Sequence, residues 1–406
     1  MSDKMRSLYV SYNGMTEPLG QSQVVPYLHG LARAGWTIDV VAFEPPTASA
    51  DDLQRVVDDL ARDRITYRYA RRSPSHAPAM KAFEIARAFS TLIARSLAAR
   101  PRIIHARSHL PALAAHAAAT LVPGARFLFD CRGLLGDEYA DVGWWSRDSL
   151  KYKTLKRVEK HLFARADAVV TLTERLRRWL LDEHLVDART PTEVIPCCVD
   201  MERFPLSATL RQDARARLGA GERFVLAYSG TLGSWYREVE MARLYAALRK
   251  KRPSLFLVLT RSPSEKLREE LRALGVPDEE VHLRAVPPRE MADALAAADA
   301  GVSFIEPCFS KMASSPTKVA EYLALGLPVA MNRGVGDCDL MIADCPAAID
   351  AGHLTNESIA AAADRLSSMS WTTADREAAR EYARTHFSVE EVGVARYRRL
   401  YERLSG

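Results

Sequence analysis

The stretch SSPTKVAEYLALGLPVA, residues 314–330, restricts the fold of this chain more than any other. It reads as loop, helix, stop and strand. Ser315 is placed to cap the helix, and Pro316 suits its first position, where a missing N–H costs nothing. Val319, Tyr322 and Leu323 recur at helical spacing and are expected to face a core. Gly326 is placed to end the helix, and 327–330 forms the next strand. The same grammar opens the chain: a strand at 8–11, a loop over 12–20, a helix from Gln21 or Ser22, then a strand at 37–43. Val24, Val25, Leu28 and Leu31 give that helix its apolar face. This order begins a doubly wound α/β domain.

The start of the 316–325 helix is a ready anion site. The free N–H groups of Thr317 and Lys318 point out of it, with the positive end of the macrodipole behind them. Lys318 adds a full charge. Glu321 lies three residues on, on the same face and about 5 Å deeper. A carboxylate repels phosphate but can accept both hydroxyls of a vicinal diol. Phosphate at the tip and ribose one turn along describe a nucleoside diphosphate. A capped surface helix with an ordinary Lys and Glu satisfies the same residues, and the stretch by itself leaves both readings open.

The chain has 406 residues, too many for one ordinary core and about right for two domains. Its 48% hydrophobic and 26% charged residues are those of a globular protein. Residues 1–6 are polar and 7–11 only span a strand, so no secretory leader is expected; no apolar run approaches the ~18 residues of a membrane span. The cysteines at 131, 197, 198, 308, 338 and 345 form no CxxC pair and no Cys/His metal spacing. Reduced structural thiols in a cytoplasmic protein are expected.

Residues 62–107 are strongly basic. Within them, 80–99 is an amphipathic helix with Phe83, Ala86, Phe89, Ile93 and Leu97 on one face and Lys81, Arg87 and Arg95 on others. Such a helix can lie on anionic lipid, or can turn its apolar face to a core and its basic side to water. Aromatics are not interleaved with the charges, and no nucleic acid partner is expected. A strand at 102–105 brings Arg107 to its carboxyl end, where open α/β sheets collect ligands. The strand at 127–129 ends in Asp130, Cys131, Arg132 and Gly133. The loop 136–145 places Asp137 and Glu138 among aromatics, a composition suited to sugar hydroxyls and sugar faces. A basic helix follows over 148–165. After a polar run at 207–223, the strand at 224–228 ends in a glycine-rich turn, 229–237. There Gly230 and Thr231 let backbone approach a ligand, and Arg237 can fork two phosphate oxygens. Val286, with two prolines after it, marks a candidate base pocket.

The run SPTKVAEYLALGLPVA is similar to the donor-site signature of GT-B glycosyltransferases, especially the retaining family-4 type. PLGQSQVVPYL and FDCRG resemble the first domain of a family-4 subgroup, and the likeness extends over nearly the whole chain. It implies α/β GT-B architecture, with two Rossmann-like doubly wound domains facing a cleft. Residues 1–205 would bind the acceptor, 206–385 the nucleotide-sugar donor, and a last helix at 386–406 would cross back to the first domain. The implied activity is transfer of a sugar, with retention, to a glycan or lipid-linked acceptor in polysaccharide biosynthesis. Glu321 would bind the ribose, with Gly230, Thr231, Arg237, Val286, Ser315, Thr317 and Lys318 around the donor. Arg237, Lys318, Asp130 and Arg132 would serve catalysis. Gly20, Gln21, Arg107, Asp137 and Glu138 would meet the acceptor. The usual second glutamate falls at Ala313, and a usual arginine at Thr231; many members keep a histidine where this chain has Arg107 or Arg132. Enzymes of this architecture use no metal, so no metal or other cofactor is expected, and the DxD spacing of Asp337 and Asp339 is set aside as chance. The basic first domain suggests a peripheral place on the inner face of a cell membrane. A nucleotide-sugar epimerase of the same architecture and a non-catalytic sugar-nucleotide-binding subunit are the competing readings.

Overall fold

The computed structural model describes residues 5–75, 77–261 and 264–406. The chain divides into two compact units, Met1–Pro196 with Val389–Gly406, and Cys197–Ser388.

The first unit is built on a parallel sheet of β1 (Arg6–Ser11), β2 (Thr37–Glu44), β3 (Thr66–Arg71), β4 (Ile103–Arg107), β5 (Arg126–Asp130), β6 (Ala168–Thr171) and β7 (Thr192–Val194). Their order is β3-β2-β1-β4-β5-β6-β7. Tyr9 of β1 lies opposite Val40 on one side and His105 on the other. The inner strands are buried along their length, which is why they appear as unbroken apolar runs such as Phe127-Leu128-Phe129. β3 has no such run: TYRYAR is a largely exposed edge strand, invisible to hydrophobic patterning. The strand order reverses between β1 and β4, and a crevice at their carboxyl ends is where such sheets bind ligands.

The helices used below are α1 (Pro18–Gln23), α2 (Val25–Arg33), α3 (Ala50–Arg62), α4 (Pro78–Ala99), α5 (His109–Leu121), α6 (Leu135–Asp141) and α7 (Leu150–Arg165). α5 packs against both α4 and α7. In α4 the buried positions are Glu84, Leu92 and Ser96, whereas Phe83, Ala86 and Leu97 are exposed. Of the apolar stripe read from the sequence, Phe89 and Ile93 are half-buried while Phe83, Ala86 and Leu97 face solvent, because the neighbouring elements cover another side of the helix. At the end of the chain, a π-helical turn, Val389–Val394, leads into the helix Ala395–Ser405. That helix packs on the first unit, with Tyr397 edge-on to Tyr27 and Tyr401 edge-on to Trp36.

The second unit holds β8 (Phe224–Ser229), β9 (Ser254–Leu259), β10 (Val281–Arg284), β11 (Ala300–Ser303), β12 (Val329–Met331) and β13 (Ala348–Asp350). They form a parallel sheet in the order β10-β9-β8-β11-β12-β13, with its reversal between β8 and β11. The helix Thr317–Ala324 follows β11 and buries Val319, Tyr322 and Leu323, and Gly326 closes it at φ +69°. Among the described residues, no helix is long and apolar enough to cross a membrane.

Candidate functional site

In the second unit, four pieces of chain meet where the strand order reverses. The turn after β8 puts Gly230 at φ +124°, and a Cβ there would lie 3.2 Å from Lys318 Nζ. Only glycine lets this turn pass so close to the ammonium. Lys318 is 7% exposed. Its Nζ donates to Tyr228 Oη at 3.3 Å and lies 4.4 and 4.1 Å from the ring centres of Tyr228 and Tyr236. Burial pushes its pKa down to about 7, against the opposing pull of Glu321. Burial likewise pushes the Glu321 carboxyl up, against Lys318 and Arg203.

The helix tip differs from its expected form. Pro316 is the capping residue, Thr317 is the first helical residue, and no side chain caps the end. Ser315 cannot do so because its Oγ accepts the Cys197 N–H at 3.1 Å. The amides of Thr317 and Lys318 find no acceptor among the described residues, so the tip is more open to an anion than a capped helix would be.

The other expected donor groups are placed as follows. Arg237 is paired with Glu240 and Glu306, which in that order hold its pKa above the ordinary arginine value. A phosphate reaching it competes with two carboxylates. Thr231 is exposed, and its carbonyl accepts the Tyr228 hydroxyl. Val286 is turned into the core, leaving the neighbouring Pro287 as the exposed surface. Ala313 is fully buried. Asp339 accepts the Gly334 N–H at 2.9 Å, a turn-holding role for one arm of the DxD spacing. Sequence reasoning missed Lys311, whose Nζ lies 3.7 Å from the Trp235 ring, and Glu306. Glu306 is fixed because Asn332 bonds both the N–H and the C=O of Ile305 at 2.9 Å. Neither the Lys311–Trp235 contact nor the Glu306–Arg237 pair is local in sequence.

In the first unit, Asp130 at the end of β5 has no exposed surface. It lies 3.3 Å from Arg132 and 3.6 Å from both Arg107 and His105, and accepts the Tyr397 hydroxyl at 3.0 Å. Burial disfavours its charge, yet Arg132, His105 and Arg107 hold it below the usual carboxylate range. His105 is driven toward its neutral form by burial and bonds Tyr401 through Nδ1 at 2.9 Å. Asp130, Arg107 and Arg132 thus come together at the ends of β4 and β5, and the acid is an internal anchor. Ser108, directly after Arg107, sits at φ +71°, a strained conformation for a serine beside the β1–β4 reversal.

Three residues expected on the acceptor side have structural roles. Asp137 is 2% exposed and bound to Tyr152 Oη at 2.8 Å and Lys156 Nζ at 2.6 Å, so it ties α6 to α7 and has no free edge for a sugar. Gly20 is required by packing, since a Cβ there would fall 2.3 Å from the Gly14 carbonyl. Gln21 donates to the Met15 carbonyl at 2.6 Å and holds the 12–20 loop. Glu138 remains at the FDCRG turn, its Oε1 3.0 Å from where a Cβ on Gly133 would be. The loop's main support was not anticipated. Glu44, buried at the end of β2, accepts from Met15 N at 2.8 Å, Thr16 N at 3.2 Å, Thr16 Oγ1 at 2.5 Å and the Tyr67 hydroxyl.

Comparison with known proteins gives a match of residues 22–203 to Glycosyltransferase Family 4. No curated protein matches in sequence. Among solved structures, a glycosyltransferase from Rickettsia africae ESF-5 superposes with a TM-score of 0.74 at 16% identity, over 99% of each chain. Alr3699/HepE of Anabaena, in complex with UDP and glucose, gives 0.72 at 16% identity, over 99% of this chain and 100% of that one. WaaG, a glycosyltransferase involved in lipopolysaccharide biosynthesis, gives 0.71 at 15% identity, over 98% of this chain and 100% of that one. At these identities the likeness establishes the fold, two parallel α/β units of GT-B type, and the sequence match is carried by the first unit.

Proposed function

We infer that this family-4-like GT-B glycosyltransferase moves a sugar from a nucleotide-diphosphate sugar to a glycan or lipid-linked acceptor, with retention and without a metal ion. One observation carries the reading: Lys318, the uncapped amides of Thr317 and Lys318, and the Gly230 turn converge at the β8–β11 reversal, with Glu321 one turn deeper. A diphosphate fits the cationic tip and a ribose fits the carboxylate. The complex of HepE with UDP and glucose supports the same donor class for this chain.

In the proposed step, the bond from the sugar's anomeric carbon to the diphosphate oxygen breaks as the acceptor hydroxyl bonds the same face of that carbon. The hydroxyl proton passes to the leaving phosphate oxygen. The protein's task is to meet the charge that grows on the diphosphate, and Lys318 with the helix amides is placed to do so. Arg237 contributes once the ligand draws it from Glu306 and Glu240. These two acids are arginine partners in the structure, and Glu321 is assigned to ribose, which favours the metal-free reading.

Calorimetry with a panel of nucleoside diphosphates tests the assignment. Glu321→Ala should bind the preferred one about 2–4 kcal/mol more weakly, from two lost charged hydrogen bonds. Unchanged affinity in a folded variant removes Glu321 from the donor site. Turnover should persist in excess EDTA, and Lys318→Ala and Arg237→Ala should each lower kcat by about 10²–10³. Activity abolished by EDTA and restored by Mg²⁺ overturns the metal-free account.

A further inference from the structure

The segment 197–204, which opens the second unit, is tied to both ends of the helix Thr317–Ala324. At the tip, the Cys197 N–H donates to Ser315 Oγ. At the far end, the Arg380 guanidinium donates to the carbonyl of Ala324 and to those of Phe204 and Met201, the last at 2.8 Å. Along its length, Val199 and Phe204 are buried in one core with Val286, Val319 and Leu323. The Asp200 carboxylate accepts the N–H groups of Glu202 at 3.0 Å and Arg203 at 3.4 Å, which fixes a turn there. So firmly held a backbone gives the Arg203 side chain a set place. Its Nη2 donates to the Pro288 carbonyl at 3.3 Å, in the segment after β10. Arg203 is exposed, and among the described residues no acid pairs with it. Burial raises the Glu321 pKa, and Lys318 and then Arg203 oppose that rise, so the guanidinium lies within electrostatic reach of this carboxylate.

A guanidinium carries five N–H donors and no acceptor, and the Pro288 bond uses one of them. The rest stand beside Pro287, the exposed surface next to Val286. A ribose on Glu321 with its base against Pro287 brings one edge of that base to Arg203. A carbonyl oxygen on this edge accepts from the guanidinium. An exocyclic amino group is itself a donor, and it leaves both sets of N–H groups without partners. We propose that Arg203 selects the nucleobase of the donor, donating to a ring carbonyl oxygen and so favouring the keto bases uracil and guanine over the amino bases cytosine and adenine. This rests on the donor-site reading and adds to it what the phosphate and ribose groups cannot supply. Lys318, the helix amides and Glu321 meet parts that all four nucleotides share.

Calorimetry of the full chain with UDP, CDP, GDP and ADP tests it. The two pyrimidines match in size, as do the two purines, and each pair sets a keto base against an amino base. The preferred keto nucleotide should bind at least about tenfold more tightly than its amino counterpart. Arg203→Ala should bring that ratio to within about twofold, by weakening the keto nucleotide. Arg203→Lys should keep part of the ratio, as a point charge without the planar fork. Arg289→Ala removes an exposed arginine from the same segment and should leave the ratio as in the parent. Were Arg203 only a brace for the 286–288 segment, Arg203→Ala would weaken all four nucleotides alike and the ratio would survive. That result overturns the proposal, and so does a parent without keto preference or an equal loss in Arg289→Ala. In each of these cases the donor site stands if Glu321→Ala still weakens binding. If none of the four nucleotides binds the parent, the donor-site reading fails and the base selection fails with it.

Discussion

Lys318 holds its ammonium largely away from water, and among the described residues no carboxylate bonds it directly. Aromatic faces and one phenol oxygen are its surroundings, and burial brings its pKa to about 7. A bound diphosphate would restore the positive form, raising that pKa. Binding should therefore take up a proton. Affinity should be full below about pH 7 and fall as pH rises through 7 toward the pKa of the bound state, by at most about tenfold per unit. Pyrophosphate is the probe of choice, because it lacks the ribose that would move Glu321 in the opposite sense. Calorimetry in buffers of different ionisation enthalpy should show the uptake, and Lys318→Met should abolish it; a pH-independent affinity contradicts the assignment. Asp130 behaves differently. Its lowered pKa gives stability that is present above its unfolded value, near 4, and lost as pH falls toward the folded value. Asp130→Asn removes the buried counter-charge beside Arg107. It should cost about 3–5 kcal/mol in denaturant unfolding at neutral pH. A change of a few tenths would mean the arginines find other partners.

At the scale of elements, the loop after β1 shows what patterning can and cannot reveal. Its glycines, its proline and the helix beyond it are legible, because turn and cap chemistry is local. Its anchor is not, since Glu44 lies 29 residues from Met15 and sits at the end of an apolar strand. Glu44→Ala strips acceptors from two backbone amides and from the Tyr67 hydroxyl. It should destabilise the first unit by about 2–4 kcal/mol. It should also raise KM for the acceptor more than KM for the donor, because the loop belongs to the acceptor unit in this reading. Equal effects on both constants would detach the loop from acceptor binding. α4 teaches the complementary lesson. The 3.6-residue period finds its apolar stripe, but only the packing partners decide which stripe is inside, and they chose Leu92 and Ser96 over Phe83 and Leu97. In the helix Thr317–Ala324 the spacing of Val319, Tyr322 and Leu323 marks the buried face, but Lys318, Ala320 and Ala324 are buried as well. Its open tip was not legible, because the hydroxyl that would have capped it is claimed by an amide 118 residues away.

At the scale of the whole molecule, alternating strands and helices made the two α/β sheets readable from sequence, and each reversal of strand order falls where the candidate groups lie. The segment Val389–Gly406 is the exception to this sequential plan, for it belongs to the first unit. Tyr397, Leu400, Tyr401 and Leu404 are all buried, and two of them bond the Asp130 and His105 cluster. Burial of four such side chains is worth roughly 6–12 kcal/mol as an upper bound, comparable with the whole stability of a domain. Deleting residues 389–406 should therefore unfold the first unit at room temperature while the second still binds a nucleoside diphosphate. Circular dichroism and calorimetry on the shortened chain would check this, and a native-like melting curve would refute it.

This arrangement also sets a schedule. A ribosome delivers β1 to β7 early, then spends the length of Cys197–Ser388 on another body before the closing helix appears. At about 5–20 residues per second, that wait is on the order of 10–40 s. Throughout it the nascent first unit carries a charged cluster without its tyrosines and an apolar floor without its cover. The part of the protein made first is completed last, and in the interval it is a natural client for chaperones.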